Sequence, residues 1–174
     1  MPYLRRSRHD VEVVRTGLVI GRFCPPHLGH SHLIARAAEQ VDRLVVFVNT
    51  RDGEVVPGTL RTAWLAELHP EATVIEVRHD LDTDFDSEVL WAKWMALLTV
   101  SWPGPGTRPD VVFSSEGYGN ELARRFGTEA IGVDPGRVTV PISATMVRDA
   151  PGDHLDQLAP VVRSWVEEHW LSGC

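Results

Sequence analysis

Short apolar runs alternate with amphipathic segments along most of this chain. Five apolar runs have the length and residue types of buried strands, and they lie at residues 17–21, 44–48, 73–77, 110–114 and 130–133. The segment between the first two runs carries apolar residues at helical spacing, namely Leu33, Ile34, Ala37 and Val41. Strands that alternate with helices in this way predict a parallel sheet with helices on its faces.

The order of these elements predicts an α/β fold, a doubly wound, Rossmann-like parallel sheet of about five strands with a C-terminal helical segment. Further helices are predicted at residues 88–100 and 120–126, and another is predicted to begin with Thr59 as its N-cap. Residues 152–170 are predicted to form two short helices broken at Pro160. Because such sheets bind ligands at the carboxyl ends of their strands, the residues that follow each strand are the first candidates for a site.

The composition narrows the class of protein. With 174 residues and 43 % hydrophobic content, the chain is predicted to form one domain over residues 16–174, preceded by a flexible, arginine-rich leader over residues 1–15. A net charge of −7 argues against a nucleic-acid-binding protein, and no window is apolar enough to span a membrane. Cys24 and Cys174 do not suggest a disulfide framework, which indicates a cytoplasmic protein. The sequence does not determine the oligomeric state, and a homo-oligomer is one of the possibilities.

The most informative segment follows the first predicted strand. Residues 21–30 read Gly-Arg-Phe-Cys-Pro-Pro-His-Leu-Gly-His, and a helix is predicted directly afterwards. His27 and His30 therefore lie at a strand-to-helix turn, where free backbone N–H groups and the positive end of the helix dipole attract an anion. Gly29 lets a phosphate approach the backbone closely. Two histidines three residues apart also fit half of a metal site, so both interpretations stand at this point.

A second segment, residues 142–148, has the composition of a partner phosphate site. Ser143 and Thr145 can cap the helix that begins there, and Arg148, one turn further on, offers a bidentate positive group to phosphate oxygens. Taken alone, the segment fits a plain N-capped helix with a surface arginine equally well. Together with the histidine pair, it favours a phosphate site.

A third segment sharpens the comparison with known families. Residues 112–119 read Val-Phe-Ser-Ser-Glu-Gly-Tyr-Gly, and residues 134–137 read Asp-Pro-Gly-Arg. With the first two motifs, these residues resemble the nicotinamide mononucleotide adenylyltransferase domain of NadR-type proteins, which belong to the His-x-Gly-His nucleotidyltransferase superfamily. The resemblance spans roughly residues 17–163. It implies transfer of AMP from ATP to nicotinamide mononucleotide, which gives NAD and pyrophosphate.

The resemblance also implies roles for particular residues. It makes His27, His30 and Arg148 the catalytic residues, with His30 nearest the transferring phosphorus. Mg²⁺ is expected to arrive with ATP rather than on protein ligands. The ATP-binding residues that it implies are Gly21, Arg22, Phe23, Gly29, Ser114, Glu116, Tyr118, Ile142, Ser143 and Thr145.

The residues that bind the acceptor are indicated less specifically than those that bind ATP. The family stacks a tryptophan on the nicotinamide ring, for which Trp91 aligns best and Trp94, on the same predicted helix face, is second. Both rings also fit ordinary core positions. Arg61 resembles a family arginine near the phosphates, although a solvated helix arginine is the alternative. The acidic residues at 82, 84 and 86 fit either a solvated loop or a contact with metal or acceptor.

Several alternatives remain open on the sequence alone. A sister enzyme on the same fold could use nicotinate mononucleotide or phosphopantetheine as acceptor. A nucleotide-binding sensor without turnover and a histidine metal hydrolase are alternatives of other classes. NadR-type proteins continue into a ribosylnicotinamide kinase, but this sequence contains no Gly-x4-Gly-Lys-Ser/Thr motif and no N-terminal DNA-binding helix pair. We therefore expect neither kinase activity nor operator binding.

Overall fold

The computed structural model describes residues 13–173 of the chain. Cys174 and residues 1–12 of the predicted leader lie outside the described residues. The five strands are β1 (Thr16–Gly21), β2 (Arg43–Thr50), β3 (Ala72–Arg78), β4 (Val111–Ser114) and β5 (Glu129–Gly132). The six α-helices are α1 (Leu28–Ala38), α2 (Gly58–Leu68), α3 (Glu88–Ser101), α4 (Tyr118–Phe126), α5 (Ala144–Asp149) and α6 (Pro160–Val166).

All five strands pair in parallel, in the order β3-β2-β1-β4-β5. The chain therefore extends the sheet in one direction from β1 to β3 and in the other direction from β4 to β5. A parallel sheet whose strand order reverses in this way, here between β1 and β4, is doubly wound. It confirms the predicted α/β fold and its five strands.

Apolar residues of the strands form a core on each face of the sheet. On one face, Phe47 packs in a cluster with Trp91 and Leu98 of α3 and with residues of α4. On the other face, the neighbouring residue Val46 packs in a cluster with residues of α1 and α2, because side chains alternate along a strand. A third cluster contains buried residues of α2, α5 and α6, so the C-terminal helical segment packs against α2.

The predictions made for Thr59 and Pro160 differ from the structure. Thr59 does not cap α2, because the helix already begins at Gly58 and its N-cap, Pro57, has no side chain able to accept the bond. Pro160 begins α6 rather than separating two helices, which suits a residue that lacks a backbone N–H. The segment before it forms two single-turn 3₁₀-helices at Pro151–Asp153 and Leu155–Gln157, and α6 runs into a π-helical turn at Glu167–Leu171.

None of the helices in residues 13–173 is long and apolar enough to cross a lipid bilayer.

Candidate functional site

A cleft of about 820 Å³ opens at the carboxyl edge of the sheet. Its walls come from the segments that follow β1, β2, β3 and β4, and from the start of α5. β1 and β4 are neighbours where the strand order reverses, and this is the place where doubly wound sheets bind ligands. The cleft therefore brings together the three segments that the sequence singles out.

The side chains of His27 and His30 cap the N-terminus of α1 reciprocally. Nδ1 of His27 accepts hydrogen bonds from the backbone amides of Gly29, at 3.1 Å, and His30, at 3.3 Å. In return, Nδ1 of His30 accepts a hydrogen bond of 3.2 Å from the backbone amide of His27. The two imidazole rings stack with their centroids 3.6 Å apart. This capping box fixes both rings at the positive end of the helix.

Both imidazoles are neutral N–H donors. Because each Nδ1 accepts a hydrogen bond, the proton of each neutral ring resides on Nε2. Burial, followed by the positive charge of Arg137, lowers the pKa of His27 to about 3. Burial is also the main cause that lowers the pKa of His30 well below its ordinary value. Within residues 13–173, Nε2 of His27 is one of two buried side-chain polar atoms without a hydrogen-bond partner, so it is a donor available to a ligand.

Close packing explains why a glycine stands between the two histidines. A Cβ atom at position 29 would lie 2.9 Å from Cε1 of His27 and 3.3 Å from Cγ2 of Ile142. A larger residue at Gly29 would therefore push apart the histidine turn and the segment that leads into α5. The same distances place these two segments in one wall of the cleft.

Arg148 is held in the cleft wall by two hydrogen bonds. Its guanidinium donates to the carbonyl oxygen of Cys24 at 2.6 Å and to Oγ1 of Thr145 at 3.2 Å. Ser143 is the N-cap of α5, as predicted, and its Oγ accepts a 3.2 Å hydrogen bond from the amide of Met146. Thr145 does not share this capping role, because it lies inside the helix and its hydroxyl orients Arg148 instead.

The segment after β4 is tied to both neighbouring walls. Glu116 pairs with Arg137 at 2.8 Å, and Arg137 also donates to the carbonyl oxygen of Ile142 at 2.7 Å. The hydroxyl of Tyr118 donates to the carbonyl oxygen of Ile20 in β1 at 2.7 Å, and burial raises the pKa of this phenol. These contacts connect the third motif to the first strand and to the approach to α5.

The two tryptophans on α3 both line the cleft but differ in their surroundings. Trp91 is buried, and the guanidinium of Arg125 lies 4.6 Å from its ring centroid, so one face of the indole is already covered. Trp94 is less buried, and its ring centroid lies 4.4 Å from that of His79. Trp94 is therefore the more accessible ring, although the sequence favours Trp91.

Arg61 lies outside this cleft, which corrects its predicted contact with the acceptor. Its side chain is fully buried and forms an ion pair with Glu54. Its guanidinium also donates to the backbone carbonyl oxygens of Arg22, of Val56 at 3.0 Å and of Asn49 at 3.4 Å. Because its donors are engaged inside the protein, Arg61 connects the ends of β1 and β2 with the loop before α2.

Ser114 is the second predicted residue that does not line the main cleft. It is buried at the end of β4, and its Oγ donates to the carbonyl oxygen of Glu116 at 2.9 Å. It borders a smaller cavity of about 370 Å³, which shares Ser115, Glu116 and Arg137 with the main cleft. The predicted residues that do line the main cleft are Gly21, Arg22, Phe23, His27, Gly29, His30, Trp91, Trp94, Glu116, Tyr118, Ile142, Ser143, Thr145 and Arg148.

The polar residues of the cleft outside the predicted set include Asn49, Arg51, Glu54, His79 and Arg137. The first four follow or end the strands β2 and β3, so the rule that ligands bind at carboxyl ends of strands is the signal that points to them. No local motif identifies these four residues, because they come together only through the pairing of β2 with β3.

The chain is similar to a known protein family and to several known proteins. Residues 18–54 match the family model described as cytidylyltransferase-like. Over 156 residues the chain is 30 % identical to the trifunctional NAD biosynthesis/regulator protein NadR of Escherichia coli (strain K12), with 78 % of this chain and 36 % of that protein covered. The chain thus spans little more than a third of the length of this relative.

Two shorter relatives are matched over most of their length. The nicotinamide-nucleotide adenylyltransferase of Thermococcus kodakarensis (strain ATCC BAA-918 / JCM 12380 / KOD1) is 28 % identical, with 85 % of this chain and 79 % of that protein covered. The probable nicotinate-nucleotide adenylyltransferase of Chlorobaculum parvum (strain DSM 263 / NCIMB 8327) is 29 % identical, with 91 % and 98 % covered. These relatives differ in the acceptor that their names specify.

Among solved structures, a crystal structure of NadR protein in complex with NAD and AMP-PNP is similar to this chain with a TM-score of 0.57. The sequence identity is 22 %, and the match covers 83 % of this chain and 44 % of that one. At this identity the similarity shows the fold alone. With the sequence relatives, it confirms the resemblance to NadR-type proteins and the Rossmann-like fold.

Proposed function

We propose that this chain is a nucleotidyltransferase of the adenylyltransferase type, which transfers AMP from ATP to nicotinamide mononucleotide and releases NAD and pyrophosphate. The observation that carries the proposal is the convergence of His27, His30 and Arg148 on one cleft where the strand order reverses. Two imidazole N–H donors and a guanidinium beside a helix N-terminus form a surface suited to several phosphate groups. The similarity to two relatives named as adenylyltransferases supports this reaction class.

The proposed reaction needs no covalent intermediate with the protein. A phosphate oxygen of the acceptor attacks the α-phosphorus of ATP and forms a new P–O bond. The bond from the α-phosphorus to the oxygen that bridges to the β-phosphate breaks, and pyrophosphate leaves with that electron pair. The contribution of the protein is then to orient the two nucleotides and to stabilise charge that develops on the α-phosphate oxygens.

The histidines act in this proposal as neutral hydrogen-bond donors rather than as acids or bases. Nε2–H of His27 and of His30 donate to oxygens of the α-phosphate, and Arg148 donates to the β- and γ-phosphates. The Nε2 of His27 is buried and without a partner, so a phosphate oxygen there satisfies a donor that is otherwise costly to bury. In this proposal Arg51 offers positive charge to the phosphate of the acceptor, and Arg22 offers it to ATP; both residues line the cleft.

Mg²⁺ enters this proposal with ATP. Within residues 13–173, no group of three or more histidine, cysteine, aspartate or glutamate side chains is arranged to hold a metal ion. Of the acidic residues 82, 84 and 86, only Asp84 is among the residues that line the cleft. Phosphate oxygens are ligands that Mg²⁺ accepts readily, so the ion does not need a protein cage. We place the enzyme in the cytoplasm on the cysteine content given above.

Acceptor profiling with the purified full chain tests the proposal. The chain is incubated with Mg²⁺-ATP and, in turn, nicotinamide mononucleotide, nicotinate mononucleotide and phosphopantetheine, while released pyrophosphate and the dinucleotide product are measured. We expect pyrophosphate in equal amounts with NAD when nicotinamide mononucleotide is the acceptor. Preferred turnover of phosphopantetheine would overturn the proposed acceptor. Tight binding of NAD without pyrophosphate release from any acceptor would instead identify a nucleotide sensor.

A further inference from the structure

Asn49 and His79 occupy neighbouring positions in the cleft but have no part in the proposed phosphate chemistry. Asn49 lies near the end of β2, and His79 directly follows β3. In the parallel pairing of these strands Asn49 is opposite Val77, and the amide of His79 donates to the carbonyl oxygen of Thr50 at 3.0 Å. His79 is therefore the diagonal neighbour of Asn49 across the two strands, and both residues line the cleft.

Both side chains belong to the face of the sheet that carries α3. Phe47 and Val77 pack in one cluster with Trp91 of α3. Because side chains alternate along a strand, Asn49 and His79, each two residues further on, point to the same face. They therefore lie on the tryptophan side of the cleft.

Asn49 presents an acceptor that no protein group uses. Its Oδ1 is buried and lacks a hydrogen-bond partner within the described residues 13–173. An acceptor in this state costs free energy unless a ligand supplies a donor. The only other buried side-chain atom of this kind in that range, Nε2 of His27, lines the same cleft.

His79 presents a donor on the same side. Its Nδ1 accepts a 3.2 Å hydrogen bond from the amide of Leu81, so the proton of the neutral ring lies on Nε2. Burial, followed by the positive charge of Arg51, lowers the pKa of His79 and favours this neutral form. The ring is held against Trp94, with the two centroids 4.4 Å apart.

We propose that Asn49 and His79 form a donor–acceptor pair that recognises the ring substituent of the acceptor and selects the carboxamide over the carboxylate. This inference rests on the proposed function, because it concerns the acceptor of that reaction. The carboxamide NH₂ donates to Oδ1 of Asn49, and the carboxamide oxygen accepts from Nε2–H of His79. A carboxylate has no hydrogen to donate at neutral pH, so it places a negative oxygen against Oδ1 and leaves that atom unsatisfied.

Substitutions that separate hydrogen-bonding polarity from size test the pair. For the wild-type chain we expect kcat/KM with nicotinamide mononucleotide to exceed that with nicotinate mononucleotide by about 100-fold or more. Asn49→Leu, of similar size but without the acceptor, is expected to reduce this ratio about 10-fold or more. Asn49→Asp keeps a hydrogen-bond acceptor and repels a carboxylate, so it is expected to keep or raise this ratio.

His79 is tested in the same way. His79→Leu is expected to raise the KM for nicotinamide mononucleotide. His79→Gln keeps an N–H donor, so its KM is expected to lie between those of the wild type and His79→Leu.

The controls distinguish failure of this inference from failure of the proposed function. Asn120→Asp and Asn120→Leu make the same changes beside the smaller cavity and are expected to leave the ratio unchanged. If the wild-type chain makes NAD but the Asn49 and His79 variants change both acceptors by the same factor, the pair does not recognise the ring substituent, while the proposed function stands. Loss of amide use in Asn49→Asp would contradict the assigned polarity of Asn49. If the wild-type chain uses neither pyridine mononucleotide, the proposed function and this inference both fail.

Discussion

The guanidinium of Arg148 donates a 2.6 Å hydrogen bond to the backbone carbonyl oxygen of Cys24, joining residues that lie 124 positions apart. This bond fixes the short helix α5 against the turn that carries the two histidines. A second hydrogen bond to Thr145 fixes the rotation of the side chain. The arginine is thus oriented before any nucleotide binds, which lowers the cost of ordering it during the reaction.

Replacement of Arg148 by Lys tests whether this fixed guanidinium matters more than its charge. Lysine keeps the positive charge but has a single ammonium group, which cannot contact Cys24, Thr145 and a phosphate in the same geometry. We expect Arg148→Lys to lower kcat/KM about 100-fold, measured by pyrophosphate release. Arg163→Lys, on the exposed surface of α6, is the matched control and is expected to retain full activity. Equal activity of the two variants would show that Arg148 contributes only its charge.

Replacement of His30 by Ala is expected to reduce turnover far more than it weakens ATP binding. The Nε2–H donor is most valuable when negative charge builds on the α-phosphate, so its loss affects the transition state more than the ground state. We expect kcat to fall about 100-fold or more, with a KM for ATP within several-fold of the wild-type value. Steady-state kinetics measures both constants. Because His30 also caps α1, thermal unfolding of the variant measures the part of the loss that comes from helix stability. Unchanged kcat in a folded variant would remove His30 from the catalytic residues.

Acidification is expected to destabilise the protein through His27. Its pKa is lowered to about 3 in the folded chain from an ordinary value of 6.5, so the unfolded chain binds more protons than the folded chain between these two values. The free energy of unfolding should therefore rise with pH across this window and fall by about 1.4 kcal/mol per unit as pH decreases below 6.5. Urea unfolding at several pH values from 7 down to 5 measures the slope. His27→Asn keeps an N-cap acceptor without a titrating ring and is expected to have a smaller slope; an identical slope would contradict the buried neutral state of His27.

The fold could be predicted from the sequence because its strands are continuous apolar runs. The run at 44–48 lies inside β2, and the histidine pair lies where β1 leads into α1, with His30 in the first turn of the helix. The reciprocal capping by His27 and His30 is a local geometry that their spacing permits but does not specify. The roles of Asn49 and His79 depend on the register between β2 and β3, which no local pattern contains.

Arg61 is the clearest case in which local pattern misleads. An arginine on a helix is normally solvated, and nothing near it in sequence indicates burial. Its burial depends on carbonyl groups at the ends of β1 and β2 and on the carboxylate of Glu54, all of which converge only in the folded sheet. A resemblance in sequence could identify the position, but it could not distinguish contact with a ligand from support of the protein beneath the site.

Replacement of Arg61 by Met is therefore expected to act on stability rather than on acceptor binding. The change removes the buried cation that pairs with Glu54 and leaves this carboxylate, which is 7 % exposed, with the exposed Arg22 as its remaining ion-pair partner. We expect a loss of about 3–5 kcal/mol in the free energy of unfolding, measured by urea denaturation. The double variant Arg61→Met/Glu54→Gln removes the buried negative charge as well and is expected to recover part of this loss. Arg36→Met breaks the exposed ion pair with Glu39 and is expected to cost at most about 1 kcal/mol. If Arg61→Met were as stable as Arg36→Met and raised the KM of the acceptor alone, the arginine would be a binding residue after all, as the sequence first suggests.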